Sequence, residues 1–158
     1  MKILVVSDSH GSVTNLEHIL NKENDCDMIV HLGDGADDLD FCLPYTAHKQ
    51  IRRVRGNCDP AACGYLPEQV FTAEDVNVFA CHGDRYSVYF GLQNLYFAAQ
   101  SHNAGVCLYG HTHVQHADET DGLLLLNPGA VRDGRWALLY AGNGAYRYEL
   151  KSFPSAAG

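Results

Sequence analysis

A chain of 158 residues, 46% hydrophobic and 19% charged, has the composition of an ordinary globular domain and is long enough to bury a core without a covalent staple. Its formal net charge of −8 argues against binding to a DNA or RNA backbone or an anionic membrane, since both need clustered Lys and Arg. No apolar run approaches the roughly 18 residues of a membrane span, MKILVVSDSHG turns polar too soon for a signal peptide, and six cysteines without a CxxC pair read as reduced thiols of a cytoplasmic protein.

KILVV (2–6) is a β-branched run that predicts a buried strand. Ser12 can cap a helix that carries Val13, Leu16, Ile19 and Leu20 on one face. MIVHL (28–32) predicts a second strand, with a short helix near 36–42, and IRRVR (51–55) predicts a third. EQVFTA (68–73) and VNVFAC (76–81) flank Glu74-Asp75 as the arms of a hairpin would. Val88, Leu92, Leu95 and Ala99 then recur at helical spacing, and Gly105 ends that helix. Tyr86, Phe90 and Phe97 form a second stripe beside it, read by default as core and otherwise as a homo-oligomer contact. VCLY (106–109) predicts another strand. VQHADE, LLLL, WALLYA and AYRYEL come next at close spacing and predict antiparallel strands. The pattern predicts an α/β architecture of two packed sheets with helices outside, as one domain over 1–152, with FPSAAG (153–158) as a frayed tail.

The residues just beyond each apolar run are more informative than the runs themselves. Asp8 and His10 come after the first, Gly33-Asp34 after the second, Gly56-Asn57-Cys58-Asp59 after the third, His82-Gly83 after the VNVFAC strand, and Gly110-His111-Thr112-His113 after the VCLY strand. Ligands of open α/β sheets bind outside the carboxyl ends of the strands, so five strand ends would deliver these side chains to one place. Glycine beside each lets the loop turn sharply and approach an ion closely. His111 and His113 are two apart, and on an extended chain both would project to the same side, toward one ion or two adjacent ones. Two carboxylates, one amide and four histidines form a mixed N/O set that favours manganese, iron, zinc, cobalt or nickel over calcium or magnesium. Seven ligands exceed one tetrahedral zinc and suit two ions about 3.5–4 Å apart, with Asp34 as the central bridge. His31 reads as a buried structural group, and Arg55 and Arg132 as cations that could meet phosphate.

In order and type, these blocks resemble the calcineurin-like metallophosphoesterases, and Asn127-Pro128-Gly129-Ala130 with the short length resembles the small YfcE-type phosphodiesterases. The resemblance implies a four-layer α-β-β-α sandwich of two mixed sheets. It implies that Asp8, His10, Asp34 and His113 hold one divalent ion, that Asp34, Asn57, His82 and His111 hold the other, and that a bridging hydroxide attacks a small phosphate ester. The implied catalytic group is Asp34, Asn57, Cys58 and Asp59. Many relatives carry histidine where Cys58 stands, to protonate the leaving group; the YfcE-type members share the departure. Two other functions fit the same fold: a non-catalytic protein-binding scaffold, as in the retromer subunit of this shape, and a binuclear hydrolase of another ester or an amide.

Overall fold

The computed structural model describes residues 1–154. Ten strands form two five-stranded sheets. The first sheet has the order β10-β9-β1-β2-β3, built from β1 (Lys2–Val6), β2 (Met28–His31), β3 (Gln50–Arg53), β9 (Arg135–Gly142) and β10 (Ala145–Ser152). The second has the order β4-β5-β6-β8-β7, built from β4 (Glu68–Ala73), β5 (Val76–Cys81), β6 (Val106–Leu108), β7 (His116–Thr120) and β8 (Leu123–Asn127). Each sheet holds a parallel trio, β1-β2-β3 in one and β5-β6-β8 in the other. Antiparallel strands complete both, so the sheets are mixed as expected.

Period-2 alternation sorts the apolar side chains into layers. Ile3, Val5, Met28 and Val30 point inward from the first sheet and meet Val78, Ala80, Val106 and Leu124 from the second. The opposite faces are apolar too. Leu4, Val6, Ile29 and Leu138 pack on Leu16, Ile19 and Leu20 of α1 (Val13–Lys22). Phe79, Cys107 and Leu125 pack on Leu95 and Ala99 of α2 (Gln93–Ser101). Helix, sheet, sheet, helix is the four-layer order expected from the resemblance.

Four local expectations change. Ser12 stands at the start of α1 but makes no capping hydrogen bond through its side chain. The helix expected from Val88 to Gly105 is interrupted: Val88–Phe90 is a single 3-10 turn, Gly91 has φ 132°, and α2 runs only from Gln93 to Ser101. Phe90 and Phe97 are therefore not core; Phe90 is 93% exposed. The tail is anchored at its first residue, because Phe153 donates its N–H to Gly134 O at 3.0 Å and packs 5.0 Å from the Trp136 ring. Residues 155–158 of the expected tail lie outside the described residues.

Trp136 is fully buried and donates its indole N–H to Glu23 Oε2 at 2.8 Å, on a carboxylate that is itself buried. Trp136→Phe keeps an aromatic ring but leaves that oxygen without its donor. We expect a loss of about 1–3 kcal/mol, read as a lower urea midpoint by circular dichroism. An unchanged midpoint would show that the indole N–H contributes nothing.

Candidate metal centre

The parallel trios point their carboxyl ends the same way, with Val6 beside His31 in one sheet and Ala80, Leu108 and Leu126 in line in the other. The loops leaving these ends are stitched together. Asp8 N–H donates to Gly33 O and His10 N–H to Asp34 O, both at 3.0 Å; Gly110 N–H donates to His82 O at 2.8 Å. His111 N–H crosses between the sheets to Asp8 Oδ2 at 3.1 Å. The expected histidines and carboxylates therefore converge.

The backbone at this rim is unusual. Asp8, His10, Asp34, His111 and His113 have φ of 56°, 46°, 59°, 72° and 65°, in the left-handed region that side chains rarely adopt. Strain of this kind persists where surrounding structure over-determines it, and it clusters at functional sites. It also corrects the reading of His111-x-His113 as an extended pair on one side. The twisted backbone sends the two rings to different neighbours.

Two groups result. Side-chain ligand atoms of Asp8, His10 and His113 lie within 4.8 Å of one another, and so do those of Asp34, His82 and His111. His10 Nε2 stands 3.3 Å from His113 Nε2, and His82 Nε2 stands 3.1 Å from His111 Nδ1. Two nitrogens bound to one ion at about 2.1 Å sit about 3.0–3.4 Å apart. Asp34 Oδ2 lies between the groups, 3.1 Å from His82 Nε2 and 3.8 Å from His10 Nε2. Asp8 Oδ1 also lies between them, 3.2, 3.6 and 3.8 Å from the Nε2 atoms of His113, His10 and His82. A position between the groups is thus shared by both carboxylates.

Asp8 supplies the test of whether these residues fit a cation. Its Oδ2 accepts hydrogen bonds from Ser7 Oγ and His111 N–H. Its Oδ1 is buried and, among the described residues, has no hydrogen-bond partner. A buried anionic oxygen without a partner, bordered by three imidazole nitrogens, is the arrangement a divalent cation satisfies and neutral packing does not. His82 is oriented for the same task. Its Nδ1–H donates to Leu32 O at 2.7 Å, which turns Nε2 toward Asp34.

The charges follow from these contacts. Burial alone would raise the Asp34 carboxyl, but His82, hydrogen-bonded to it, outweighs that and, with the Cys58 N–H and His10, holds it down to about 2. Burial would lower the His82 imidazole; Asp34 and Asp8 outweigh it and push it up. Burial and then His82 push His111 down.

The third-strand loop behaves differently from expectation. Asp59, expected in the catalytic group, engages both carboxylate oxygens with the backbone N–H groups of Asp34, Gly35 and Gly56 at 2.8–2.9 Å, which makes it a clamp on the ligand loops. Asn57 is exposed, and among the described residues its side chain hydrogen-bonds to Cys58 Sγ alone, at 3.6 Å, rather than to the histidines or carboxylates. Cys58 donates its backbone N–H to Asp34 Oδ1 at 2.7 Å, and its exposed thiol lies beside the cluster. Arg132 stands with Nη2 3.3 Å from His113 Nδ1, while Arg55 lines a shallow groove with Asn57 and Arg85.

Several supporting roles are set by tertiary contacts that no local sequence pattern shows. Asn127 donates through Nδ2 to Gly110 O at 3.1 Å and Thr112 Oγ1 at 3.0 Å, pinning the histidine loop. Tyr89 donates to His111 O at 3.1 Å, with its ring 4.8 Å from the imidazole. His31, rightly read as buried, has a specific task. Gly33 N–H donates to its Nδ1, so Nε2 carries the proton and donates to Ser9 Oγ; Ser9 donates to Asp38 Oδ2, which also accepts Gly11 N–H. Burial pushes the His31 imidazole down to about 3, so it works as a neutral strut between two ligand loops.

A family model, the calcineurin-like phosphoesterase superfamily domain, matches residues 1–141. The chain belongs to this family. YsnB of Bacillus subtilis (strain 168), named a probable metallophosphoesterase, is 32% identical over 84% of this chain and 76% of its own. The phosphodiesterase YfcE of Escherichia coli (strain K12) is 30% identical over 83% and 79%. A crystal structure of a conserved Streptococcus pneumoniae TIGR4 protein, described as a predicted phosphoesterase, superposes with a TM-score of 0.78 at 29% identity, over 98% of this chain and 93% of that one. Vps29 chains share the fold at 15–20% identity, a likeness that concerns the fold alone. As a calcineurin-like phosphoesterase, the chain is in a family whose chemistry uses divalent metal ions, and the two groups at its rim are candidate holders for them.

Gly110 shows how tightly this phosphoesterase site is built. A Cβ there would lie 2.1 Å from Ser7 Oγ and 2.8 Å from Asp8 Oδ2. Gly110→Ala must therefore displace Asp8 or the histidine loop. We expect a lower melting temperature and loss of any bound divalent metal, by scanning fluorimetry and elemental analysis. Normal melting and metal content together would contradict this packing.

Proposed function

We propose that the chain is a phosphoesterase that hydrolyses small phosphodiesters with two divalent transition ions, manganese foremost, and nickel, cobalt, iron or zinc as alternatives. The observation that carries this reading is the unpartnered Asp8 Oδ1, held between three imidazoles at the seam of the sheets. Asp8, His10 and His113 would hold one ion, and His82 and His111 the other. Asp34 would be shared between them, and Asn57 would turn its amide to the second. When bound, such ions supply a hydroxide nucleophile near neutral pH and offset charge on the phosphoryl oxygens.

The chain's own groups then divide the remaining work. His113 has Nε2 on the Asp8 side and Nδ1 on the Arg132 side. Once Nε2 serves as a ligand, Nδ1 carries the ring proton and no longer accepts from the guanidinium. Arg132 is then free to donate its planar fork to a phosphoryl oxygen. Cys58 stands where an acid would protonate the leaving group, and a thiol is a weak donor. The reading therefore favours diesters with good leaving groups over monoesters.

An acidic chain suits a small ester better than a long nucleic acid. Among the described residues no helix is long and apolar enough to cross a membrane. Six free thiols support a cytoplasmic setting. The exposed Phe90 and Phe97 support the homo-oligomer considered from the sequence. Neither the scaffold nor the amide hydrolase is favoured by a specific observation. A scaffold has no need of strained backbone at five of the expected metal ligands.

A substrate panel on metal-stripped protein, with manganese, nickel, cobalt, zinc and magnesium returned separately, tests the reading. We expect a nitrophenyl diester to be cleaved faster than the monoester, and manganese, nickel or cobalt to restore more activity than magnesium. Full activity with magnesium alone, or no phosphate ester cleaved with any metal, would overturn it. Asp34→Asn removes the charge lying between both groups and should lower the content of both ions, whereas His111→Ala should lower one. Two ions per chain and normal turnover in Asp34→Asn would refute the shared role.

A further inference from the structure

We infer that Cys58 is a soft ligand for the ion held by His10 and Asp34, and that its thiolate closes this site around thiophilic cations. This inference rests on the metal reading above and adds a donor to it.

The geometry is specific. A nitrogen of His10, a carboxylate oxygen of Asp34 and Cys58 Sγ lie within 4.8 Å of one another, a third group that joins one member of each of the two already described to a new donor. Asp34 is buried and Cys58 exposed, so the thiol approaches from the solvent side. The residue is fixed there, since its N–H donates to Asp34 Oδ1 at 2.7 Å and the Asn57 amide reaches its sulfur at 3.6 Å. A separate observation points to a cation beside the same imidazole: the buried Asp8 Oδ1, without a hydrogen-bond partner among the described residues, lies 3.6 Å from His10 Nε2.

The chemistry separates two classes of ion. Thiolate prefers soft ions such as cadmium, whereas magnesium prefers oxygen and manganese takes oxygen with imidazole. With a soft ion the S–H bond breaks, the proton leaves to solvent and a sulfur–metal bond forms, with no electron transferred. The sulfur then occupies the solvent-side position that a catalytic site keeps open. With a hard ion the thiol stays protonated and that position remains free. Cadmium would thus bind this chain tightly and silence it, through a residue that manganese does not use.

The test uses the full-length, metal-stripped protein and its Cys58→Ser variant. Each is titrated with cadmium, with cobalt and with manganese, by calorimetry and by ultraviolet absorbance for a thiolate-to-metal charge-transfer band. We expect the band in the wild-type protein and its loss in Cys58→Ser. Cadmium affinity should fall about 10–100-fold or more, a loss typical of perturbed metal sites. Manganese binding should stay close to that of the wild type, which also reports that the variant is folded. Equal cadmium affinity in the two proteins, or a band that persists in Cys58→Ser, would overturn the role of Cys58 while leaving the metal reading intact. Failure of the wild-type protein to bind any of the three ions would overturn the metal reading, and the inference with it.

Discussion

The carboxylate of Asp8 sits fully buried where the two sheets meet, with one oxygen hydrogen-bonded and the other unpartnered. An isolated charge in that position is unfavourable by several kcal/mol or more unless something of opposite sign stands next to it. Within the chain, Asp34 and Asp8 raise the affinity of the His82 imidazole for a proton against the effect of burial. A proton there would be a partial answer, since one imidazole faces two carboxylates. The two divalent cations of the proposed function would answer it more fully, and the paired imidazole nitrogens are at a spacing such ions would accept.

Much of the surrounding architecture serves to hold that carboxylate in place. Glycine at 110 gives Ser7 and Asp8 room, and glycine at 56 lets the third-strand loop come against Asp34. Asp59 ties three backbone N–H groups, and Asn127 ties the histidine loop from the other sheet. His31, Ser9 and Asp38 form a neutral-to-acidic chain of hydrogen bonds behind the first two loops. These groups have their own partners, and they hold the left-handed backbone at five expected ligands against its strain. Their contribution is to make the ligand positions rigid before any ion arrives.

The sequence exposed the candidate ligands because each comes just after an apolar run, and the end of a strand is where the chain must leave the sheet. Asp8, His10, Asp34, His82, His111 and His113 were all legible for that reason. The two-layer core was legible as well, since period-2 alternation is a local pattern. The features that escaped were tertiary in origin. Nothing local in Asn127 or Ser9 announces the loop it binds, and Tyr89 reaches His111 across 22 residues. Asp59 stood in a motif with the ligands, yet its oxygens turned to backbone N–H groups. The His111-x-His113 pair was misjudged because extended geometry was assumed where φ is positive. Helical spacing at Val88 and Leu92 was overridden by Gly91, and Phe90 went to solvent as a result.

Under the proposed function this cluster is a preformed site that divalent cations complete. Thermal unfolding of the metal-stripped protein across a manganese titration measures it most directly, without reference to any substrate. A ligand that binds only the folded state stabilises it by about 2.7 kcal/mol at 100 times its dissociation constant. The expected result is a melting temperature that rises steadily with manganese and falls back on chelation. A melting temperature that does not move with manganese, nickel, cobalt or zinc would contradict it.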